Sequence, residues 1–464
     1  MSSHNVFLKV NQSHIQNQAG EQVILHGVGL GGWMNMENFI TGFSANENAF
    51  RRVVYRALGK EKADFFFDRY LEYFFTRDDA RFIRSLGLNL VRLPFNYRHF
   101  EDDMNPTVIR ESGWRTLDRV IKICAENELY TILDLHAAAG YQNQDWHSDN
   151  PSQQALFWEH KHFQDRTVWL WEQIAERYKD NPWVAGYNPL NEPSDPSGVL
   201  LNAFYQRVVT AIRRIDSEHI IFLEGNRYSR DFSMFGPPLP NAVYTLHDYP
   251  APGFINGGPY PGFTRGEYFD REVLCHKLME TCQYMLENKT PIWVGEFGPV
   301  YTGIPENDAM RYKVLEDQLS LYRELGANWS LWTYKDLGLQ GPVSLSPDSK
   351  WIQRIQPILD KKAMLGVDAW GGPDKNVRHI LEPIEQTFAE YFPNYQPFPF
   401  GAHWQIHRTV RHILLAEPLI EDFYPLLHGL DFDEIDELAA SFLYANCSPR
   451  TELIQILKKE LQAN

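Results

Sequence analysis

Eight short apolar runs, separated in most cases by longer amphipathic stretches, recur between Val23 and Lys335. The runs are rich in β-branched and aromatic residues, and few of them alternate between apolar and polar positions. This pattern is typical of parallel strands that are buried on both faces. In chain order they span Val23–Gly29, Leu88–Phe95, Tyr130–Ala137, Val184–Pro193, Ile220–Gly225, Val243–Tyr249, Ile292–Gly298 and Trp329–Lys335.

The stretches between these runs have the spacing of surface helices. "ESGWRTLDRVIKICAENE" and "DRTVWLWEQIAERYKDN" place apolar residues three and four positions apart, which gives a helix one apolar face. Eight strands that alternate with helices predict an α/β fold, a (β/α)₈ TIM barrel, over residues 1–370. The segment "LKVNQSHIQNQAGEQVIL" predicts a short N-terminal hairpin that plugs the bottom of the barrel.

Residues 371–464 follow the eighth run and its closing helix. They begin with a stretch rich in proline and aromatic residues, "YFPNYQPFPFGAHW", and continue with helix-like runs. The apolar periodicity of "HILLAEPLIEDFYPLLHGL" would be unstable in water. We therefore predict a C-terminal helical extension that packs on the barrel.

Composition excludes several classes of partner. The net charge of −16 repels polyanions, so we expect neither nucleic acid nor an anionic membrane as a partner. Four cysteines are too few and too scattered for a disulfide framework. No apolar run approaches the ~18 residues of a membrane span, and the first residues lack the apolar core of a signal peptide. These features favour a cytoplasmic protein, and none of them indicates an oligomer.

Polar and aromatic residues end most of the predicted strands. The C-terminal ends of barrel strands carry the catalytic groups in this architecture. A buried ion pair or a core histidine would explain any one of these residues, but not their convergence on a single rim. The residues are Arg92, His136, Asn191, Glu192, His247, Tyr249, Glu296 and Trp332.

Two carboxylates at one rim point to paired carboxylate chemistry. Glu192 follows Asn191, whose amide is a donor suited to a substrate hydroxyl. Arg92 and the Tyr249 hydroxyl are expected to keep Glu296 ionised, because an opposite charge and hydrogen bonds both lower the pKa of a carboxyl group. Such asymmetry lets one carboxyl group donate a proton while the other attacks.

The ordered series "VRLPF", "LDLHA", "NPLNEP", "LHDY", "GEFG" and "SLWTYK" resembles glycoside hydrolase family 5, the cellulase-like retaining glycosidases. The resemblance covers roughly Val23 to Lys335. It implies that Glu192 is the acid/base and Glu296 the nucleophile, with no metal and no organic cofactor. It also implies a carbohydrate substrate and a set of supporting residues, namely Arg92, His136, Asn191, His247, Tyr249 and Trp332.

A glycine-rich segment, Gly27–Gly32, formally matches a dinucleotide-binding fingerprint. The dinucleotide interpretation is rejected because no clear acidic residue lies about 20 positions further on, where a ribose ligand would be expected. We expect this loop to shape the floor of the site instead, with Trp33 and Glu37 as candidate pocket residues.

The long loop after His136 supplies further candidates. Loops of this length between a strand and a helix are often functional, so Asp145, Trp146 and His147 are candidates to border a sugar pocket. The alternative is an ordinary surface loop. His147, His160 and His162 lie close in sequence, but their spacing matches no zinc pattern and no thiolate joins them.

The leading hypothesis is a retaining O-glycoside hydrolase that acts from a chain end on small intracellular glycosides or oligosaccharides. The expected substrates are β-glucosides, β-mannosides or furanosides such as β-galactofuranosides and α-arabinofuranosides. The long loop and the C-terminal extension favour this, since either is able to close one end of a cleft. The alternatives are an endo-β-glucanase or mannanase, a glycolipid-cleaving enzyme, a sugar-binding barrel without turnover and a metal-dependent hydrolase.

Overall fold

Eight parallel strands close into a barrel in the computed structural model of the protein, which describes residues 7–368, 370 and 372–463. Neighbouring strands pair in chain order, and the last strand closes on the first with Trp329 opposite His26. This arrangement confirms the predicted (β/α)₈ barrel. The strands are β1 (His26–Gly29), β2 (Leu90–Asn96), β3 (Tyr130–Ala137), β4 (Val184–Asn188), β5 (Ile220–Glu224), β6 (Ala242–Asp248), β7 (Ile292–Phe297) and β8 (Asn328–Leu331).

Helices surround the barrel and cover the outer faces of the strands. Between β5 and β6, a stretch that is described throughout, the one helix is the four-residue Asn226–Ser229. The intervening sequence "GNRYSRDFSMFGPPLPN" is too rich in glycine, proline and asparagine to sustain a longer one. The longer helices span Glu47–Leu58, Lys60–Phe74, Arg77–Ser85, Glu111–Glu126, Lys161–Tyr178, Leu200–Arg213, Arg271–Asn288, Pro305–Glu324 and Lys350–Leu365.

The predicted N-terminal hairpin is present at the bottom of the barrel. Its strands, Lys9–Asn11 and His14–Gln16, pair antiparallel. Leu8 and Ile15 are buried in one apolar cluster with barrel residues such as Leu90. The hairpin therefore excludes water from the end of the barrel opposite the strand termini that carry the polar residues.

The C-terminal part is helical and packs on the barrel. The ring of Phe423 contacts that of Phe50 at a centroid distance of 5.2 Å, and the ring of Phe442 contacts that of Tyr70 at 4.8 Å. The predicted boundary at residue 371 touches residues 369 and 371, which lie outside the described residues. The elements are helices Arg378–Tyr391, Gly401–His407, Ala416–Ile420, Phe423–Leu427, Phe432–Ala440 and Thr451–Gln462, with a π-helical turn over Arg408–Leu414.

Across the described ranges, no helix combines the length and the apolarity that crossing a bilayer requires.

Candidate active site

A cavity of about 380 Å³ opens at the rim where the C-terminal ends of the strands meet. Arg92 and Asn191 do not line it, because both side chains are fully buried beneath the rim. The cavity therefore brings together most of the residues that the sequence singles out. Those that line it are Glu37, His136, Asp145, Trp146, His147, Glu192, His247, Tyr249, Glu296 and Trp332.

Glu192 follows β4, Glu296 lies on β7, and His247 of β6 lies between their carboxylates. His247 Nδ1 lies 2.7 Å from Glu192 Oε1 and 3.6 Å from Glu296 Oε2. One carboxylate oxygen of each glutamate and a ring nitrogen of His247 all lie within 4.8 Å of one another. The two carboxylates thus face the same small volume.

Glu296 is held by the two residues that the sequence indicates. Arg92 Nη1 donates to Glu296 Oε1 at 2.6 Å, and the Tyr249 hydroxyl donates to Oε2 at 3.0 Å. The expectation that these contacts lower the pKa of Glu296 is not met, because burial raises that pKa by more than the positive charges of His247 and Arg92 lower it. Both oxygens therefore have a fixed partner, which orients the carboxylate toward the cavity.

Each oxygen of Glu192 faces a histidine. His247 contacts Oε1, and His147 Nε2 lies 3.1 Å from Oε2. Burial raises the pKa of Glu192, but the hydrogen bonds from His147 and His247 outweigh burial and hold the pKa well below its ordinary value. In the site without substrate, the proton shared between Glu192 and the two histidines therefore resides on the imidazoles of His147 and His247.

The backbone of Glu192 is equally constrained. Its φ of +45° lies in the left-handed region, and its N–H donates to Glu224 Oε2 at 2.6 Å. A non-glycine residue adopts this conformation only where its surroundings fix it. Glu224 supplies that constraint, so the turn that presents Glu192 depends on a carboxylate at the end of β5.

A buried charge network lies beneath the rim, centred on Arg92. Arg92 Nη2 lies 3.0 Å from Glu224 Oε1 and 3.1 Å from Asp134 Oδ2. The same nitrogen donates to Asn191 Oδ1 at 2.7 Å. One guanidinium therefore ties the ends of four strands together, which satisfies charges that would be costly to bury alone.

His136 is oriented by the same network. Its Nδ1 lies 2.8 Å from Asp134 Oδ2, and its Nε2 lies 3.5 Å from Glu37 Oε1 in the cavity wall. Burial lowers the pKa of His136, but the neighbouring Asp134 outweighs burial and raises it to about 10. His136 is therefore positively charged at neutral pH, and this charge attracts an electron-rich oxygen of a ligand in the cavity.

Trp332 forms an aromatic wall of the cavity. Its indole stacks parallel to the His136 ring with centroids 5.1 Å apart. A Cβ atom at Gly29 or Gly31 would come within 2.6 Å of this indole. The glycines of the segment that resembles a dinucleotide fingerprint therefore make room for Trp332.

The prediction that Trp33 lines the pocket is wrong. Its side chain is fully buried, does not border the cavity and donates its indole N–H to the Leu71 carbonyl at 3.0 Å. The indole points outward to the helix Lys60–Phe74, whereas Glu37, four residues later, turns into the cavity. Because the loop is irregular, the sequence spacing does not show which of Trp33 and Glu37 faces the cavity.

The three histidines that lie close in sequence do not form a cluster in space. His147 contacts Glu192, whereas His160 and His162 are exposed at the start of the helix Lys161–Tyr178. Within the described ranges, two groups bring three potential ligand atoms within 4.8 Å of one another. They are Glu192 with His247 and Glu296, and Glu385 with His403 and His407.

Sequence reasoning missed several residues of the site. Glu224 is the last residue of β5 and was identifiable by the same rule that selected the other strand ends. Asp134 lies two residues before His136 on the same strand. The C-terminal extension was expected to be able to close one end of the cleft, but no sequence pattern indicated which residues beyond β8 line the cavity. They are Asp368, Trp370, Phe400, His403, Trp404 and His412.

Comparison with known proteins shows the family. The family model of cellulase (glycosyl hydrolase family 5) matches residues 61–338. A relative from Phanerodontia chrysosporium named beta-xylosidase is 46% identical over 97% of this chain and 97% of its own length. Endoglucanase C of Acetivibrio thermocellus is 25% identical over 68% of this chain and 92% of its own length.

A solved structure described as that of a glycoside hydrolase shares the fold. It aligns with a TM-score of 0.52 and 20% identity over 68% of this chain and 90% of the other. A barrel with two facing carboxylates at its rim defines a glycosidase-like class of protein. The chain belongs to glycosyl hydrolase family 5 and is an O-glycosyl hydrolase.

Proposed function

We propose that this protein is a retaining, exo-acting β-glycosidase that removes terminal β-xylosyl residues from small glycosides. The observation that carries the mechanism is that one carboxylate oxygen of Glu192 and one of Glu296 lie within 4.8 Å of each other and of a ring nitrogen of His247. Retaining glycosidases hold their carboxyl groups about 5–5.5 Å apart, whereas inverting enzymes leave about 6.5–9.5 Å for a water molecule. The short separation supports direct attack by one carboxylate.

In the first step Glu296 attacks the anomeric carbon. A bond forms between its carboxylate oxygen and that carbon, while the bond to the leaving oxygen breaks and Glu192 supplies a proton to it. In the second step Glu192 removes a proton from water, which attacks the same carbon and releases Glu296. Arg92 and Tyr249 suit Glu296 to the nucleophilic role, because they fix both of its oxygens.

The histidine contacts and the charge of Glu296 both bear on the role of Glu192 in the two steps. In the free site the proton lies on His147 and His247, whose contacts with Glu192 provide the route for its transfer. The negative charge of ionised Glu296 repels that of Glu192 and so favours this transfer. When Glu296 becomes an ester, that repulsion disappears. The pKa of Glu192 then falls, so Glu192 is ionised and in the form that accepts a proton from water, as hydrolysis of the ester requires.

The shape of the cavity supports exo action. A volume of about 380 Å³ is near the lower limit of about 300–1,000 Å³ for ligand pockets. Residues beyond β8 form part of its wall, including the aromatic side chains of Trp370, Phe400 and Trp404. A small pocket with an added wall favours a terminal sugar over an internal segment of a long chain.

The choice of β-xyloside rests on the relative named beta-xylosidase, which matches nearly the whole chain. The β-glucosides, β-mannosides and furanosides expected from the sequence become the comparison substrates. A screen of 4-nitrophenyl glycosides with the same leaving group tests the choice. We expect the largest kcat/KM with the β-xyloside, and a larger value for any other glycoside would replace the substrate assignment.

Product analysis tests exo action independently. With xylotetraose, an exo enzyme releases xylose and xylotriose first, whereas an endo enzyme releases xylobiose at early times. Proton NMR of the first product gives the stereochemistry, and β-xylose before mutarotation is expected. Early xylobiose would refute exo action, and initial α-xylose would refute the retaining mechanism. Lack of turnover of every glycoside tested would favour a sugar-binding protein.

A further inference from the structure

Tail residue Arg408 connects the C-terminal extension to the loop that carries His147. Arg408 Nε donates to Asp145 Oδ1 at 2.7 Å, and its Nη2 donates to Asp145 Oδ2 at 2.5 Å. Nη2 also donates to the Tyr228 hydroxyl at 2.8 Å. The Arg408 side chain is 4% exposed, so this bidentate pair is buried and screened little by salt.

A second contact lies one residue further along the loop and four residues further along the tail. The Trp146 ring stacks on the His412 ring with centroids 4.1 Å apart and an angle of 26° between the planes. Arg408 and His412 both belong to the π-helical turn Arg408–Leu414, and such turns are frequent at functional sites. We call the Arg408–Asp145 pair and the Trp146–His412 stack the tail latch.

The tail latch borders a single helical turn whose middle residue contacts the proposed acid/base, Glu192. Residues Trp146–Ser148 form one turn of 3₁₀-helix. His147, in the middle of this turn, places Nε2 3.1 Å from Glu192 Oε2. Asn35 donates to the His147 carbonyl at 3.0 Å from the other side. The position of the imidazole is therefore set jointly by the barrel and by the tail.

Asn143 lies at the centre of this contact. Its Oδ1 accepts from the Asp145 N–H at 3.0 Å, and its Nδ2 donates to the Glu192 carbonyl at 3.0 Å. The same Nδ2 lies 2.8 Å from His147 Nε2. Since Asn143 contacts Asp145, His147 and Glu192 together, displacement of Asp145 would disturb a side chain that packs against the other two.

We propose that the C-terminal extension takes part in proton delivery, with His147 as a positioning residue for Glu192 and the tail latch holding His147 in place. The inference rests on the proposed function, because it assumes that Glu192 protonates the leaving group. Neither Arg408 nor Asp145 needs to touch the substrate in this account. Both act through the 3₁₀-helical turn.

Leaving-group dependence tests the proposal. A 2,4-dinitrophenolate leaves without protonation, whereas a 4-methylphenolate requires a proton from Glu192. The variants are Arg408→Gln, the double variant Asp145→Asn/Arg408→Gln, which buries no unpaired charge, and His147→Gln, which leaves the latch intact. We expect the ratio of kcat/KM for the dinitrophenyl glycoside to kcat/KM for the 4-methylphenyl glycoside to rise about 10-fold or more.

Two reference variants make the result interpretable. Arg354→Gln removes a different arginine of the tail interface, which donates to the Leu426 carbonyl at 3.0 Å, and it should leave the ratio of the two kcat/KM values unchanged. Glu192→Ala should show the largest increase in that ratio. If Glu192→Ala lacks the effect, the proposed function fails. If Glu192→Ala shows it but the latch and His147 variants lower both rates equally, the inference is overturned.

Discussion

Replacement of Arg92 by leucine should destabilise the protein and alter the pH dependence of catalysis at the same time. The guanidinium is fully buried and lies within 3.1 Å of carboxylate oxygens of Asp134, Glu224 and Glu296. Leucine fills part of the volume but leaves three carboxylates without their shared cation. Removing one partner of a buried ion pair costs about 3–5 kcal/mol, and we expect a loss of this size at neutral pH.

The pH dependence follows from the sign of the charge that is lost. Without Arg92, the pKa of Glu296 rises, because a neighbouring cation no longer favours its ionised form. The acidic limb of the kcat/KM profile should therefore move to higher pH. The difference in unfolding free energy between the two proteins should shrink as pH falls, since protonation removes the unpaired negative charges.

Denaturant unfolding and pH–rate profiles measure the two effects. Arg166→Leu is the matched control, because Arg166 also bridges two carboxylates, Glu101 at 3.0 Å and Asp103 at 2.9 Å, away from the cavity. It should lower stability without moving the acidic limb. A variant of Arg92 that unfolds like the wild type, or an acidic limb that stays in place, would refute the network as described.

Three further outcomes are expected. Burial lowers the pKa of Lys362 to about 8, so above that pH the unfolded chain binds more protons than the folded protein does. The free energy of unfolding of the wild type relative to Lys362→Met should therefore rise by roughly 3 kcal/mol between pH 8 and 10.5, and a difference that does not change with pH would contradict this. Glu224→Gln should lower kcat about 10-fold or more, because the Glu192 N–H loses a charged acceptor, and an unchanged kcat would show that this contact is dispensable. Deletion of residues 373–464 exposes Phe50 and Tyr70, which pack on the tail; we expect unfolded or insoluble protein, and a soluble product with unchanged melting would mean that the tail is independent.

The barrel was predictable because strands buried on both faces are nearly continuous in apolar residues. The run Tyr130–Ala137 matches β3 at both ends. The run Val184–Pro193 is longer than β4, which ends at Asn188. Pro189 and Pro193 interrupt the backbone pairing there, so Asn191 and Glu192 lie in a turn and not at a strand end.

The sequence indicated that the extension is able to close one end of the cleft, but not which residues form that wall. Trp370 and His412 lie far beyond the last strand in the sequence, and no strand or helix periodicity links their positions to the rim of the barrel. Their place at the cavity depends on how helices dock, which is set by side-chain packing across distant segments. Glu224 is different, because its position at the end of a strand already indicated a place at the rim.

Azide rescue tests the assignment of the two carboxylates most directly. Both alanine variants are assayed with a 2,4-dinitrophenyl β-glycoside, whose leaving group needs no proton. In Glu192→Ala, Glu296 still forms the glycosyl-enzyme, and azide then attacks it to give a β-glycosyl azide of retained configuration. In Glu296→Ala no glycosyl-enzyme forms, so azide attacks the substrate directly and gives the inverted α-azide. A retained product from Glu296→Ala together with an inverted product from Glu192→Ala would contradict the account, because the nucleophile and the acid/base would then be exchanged.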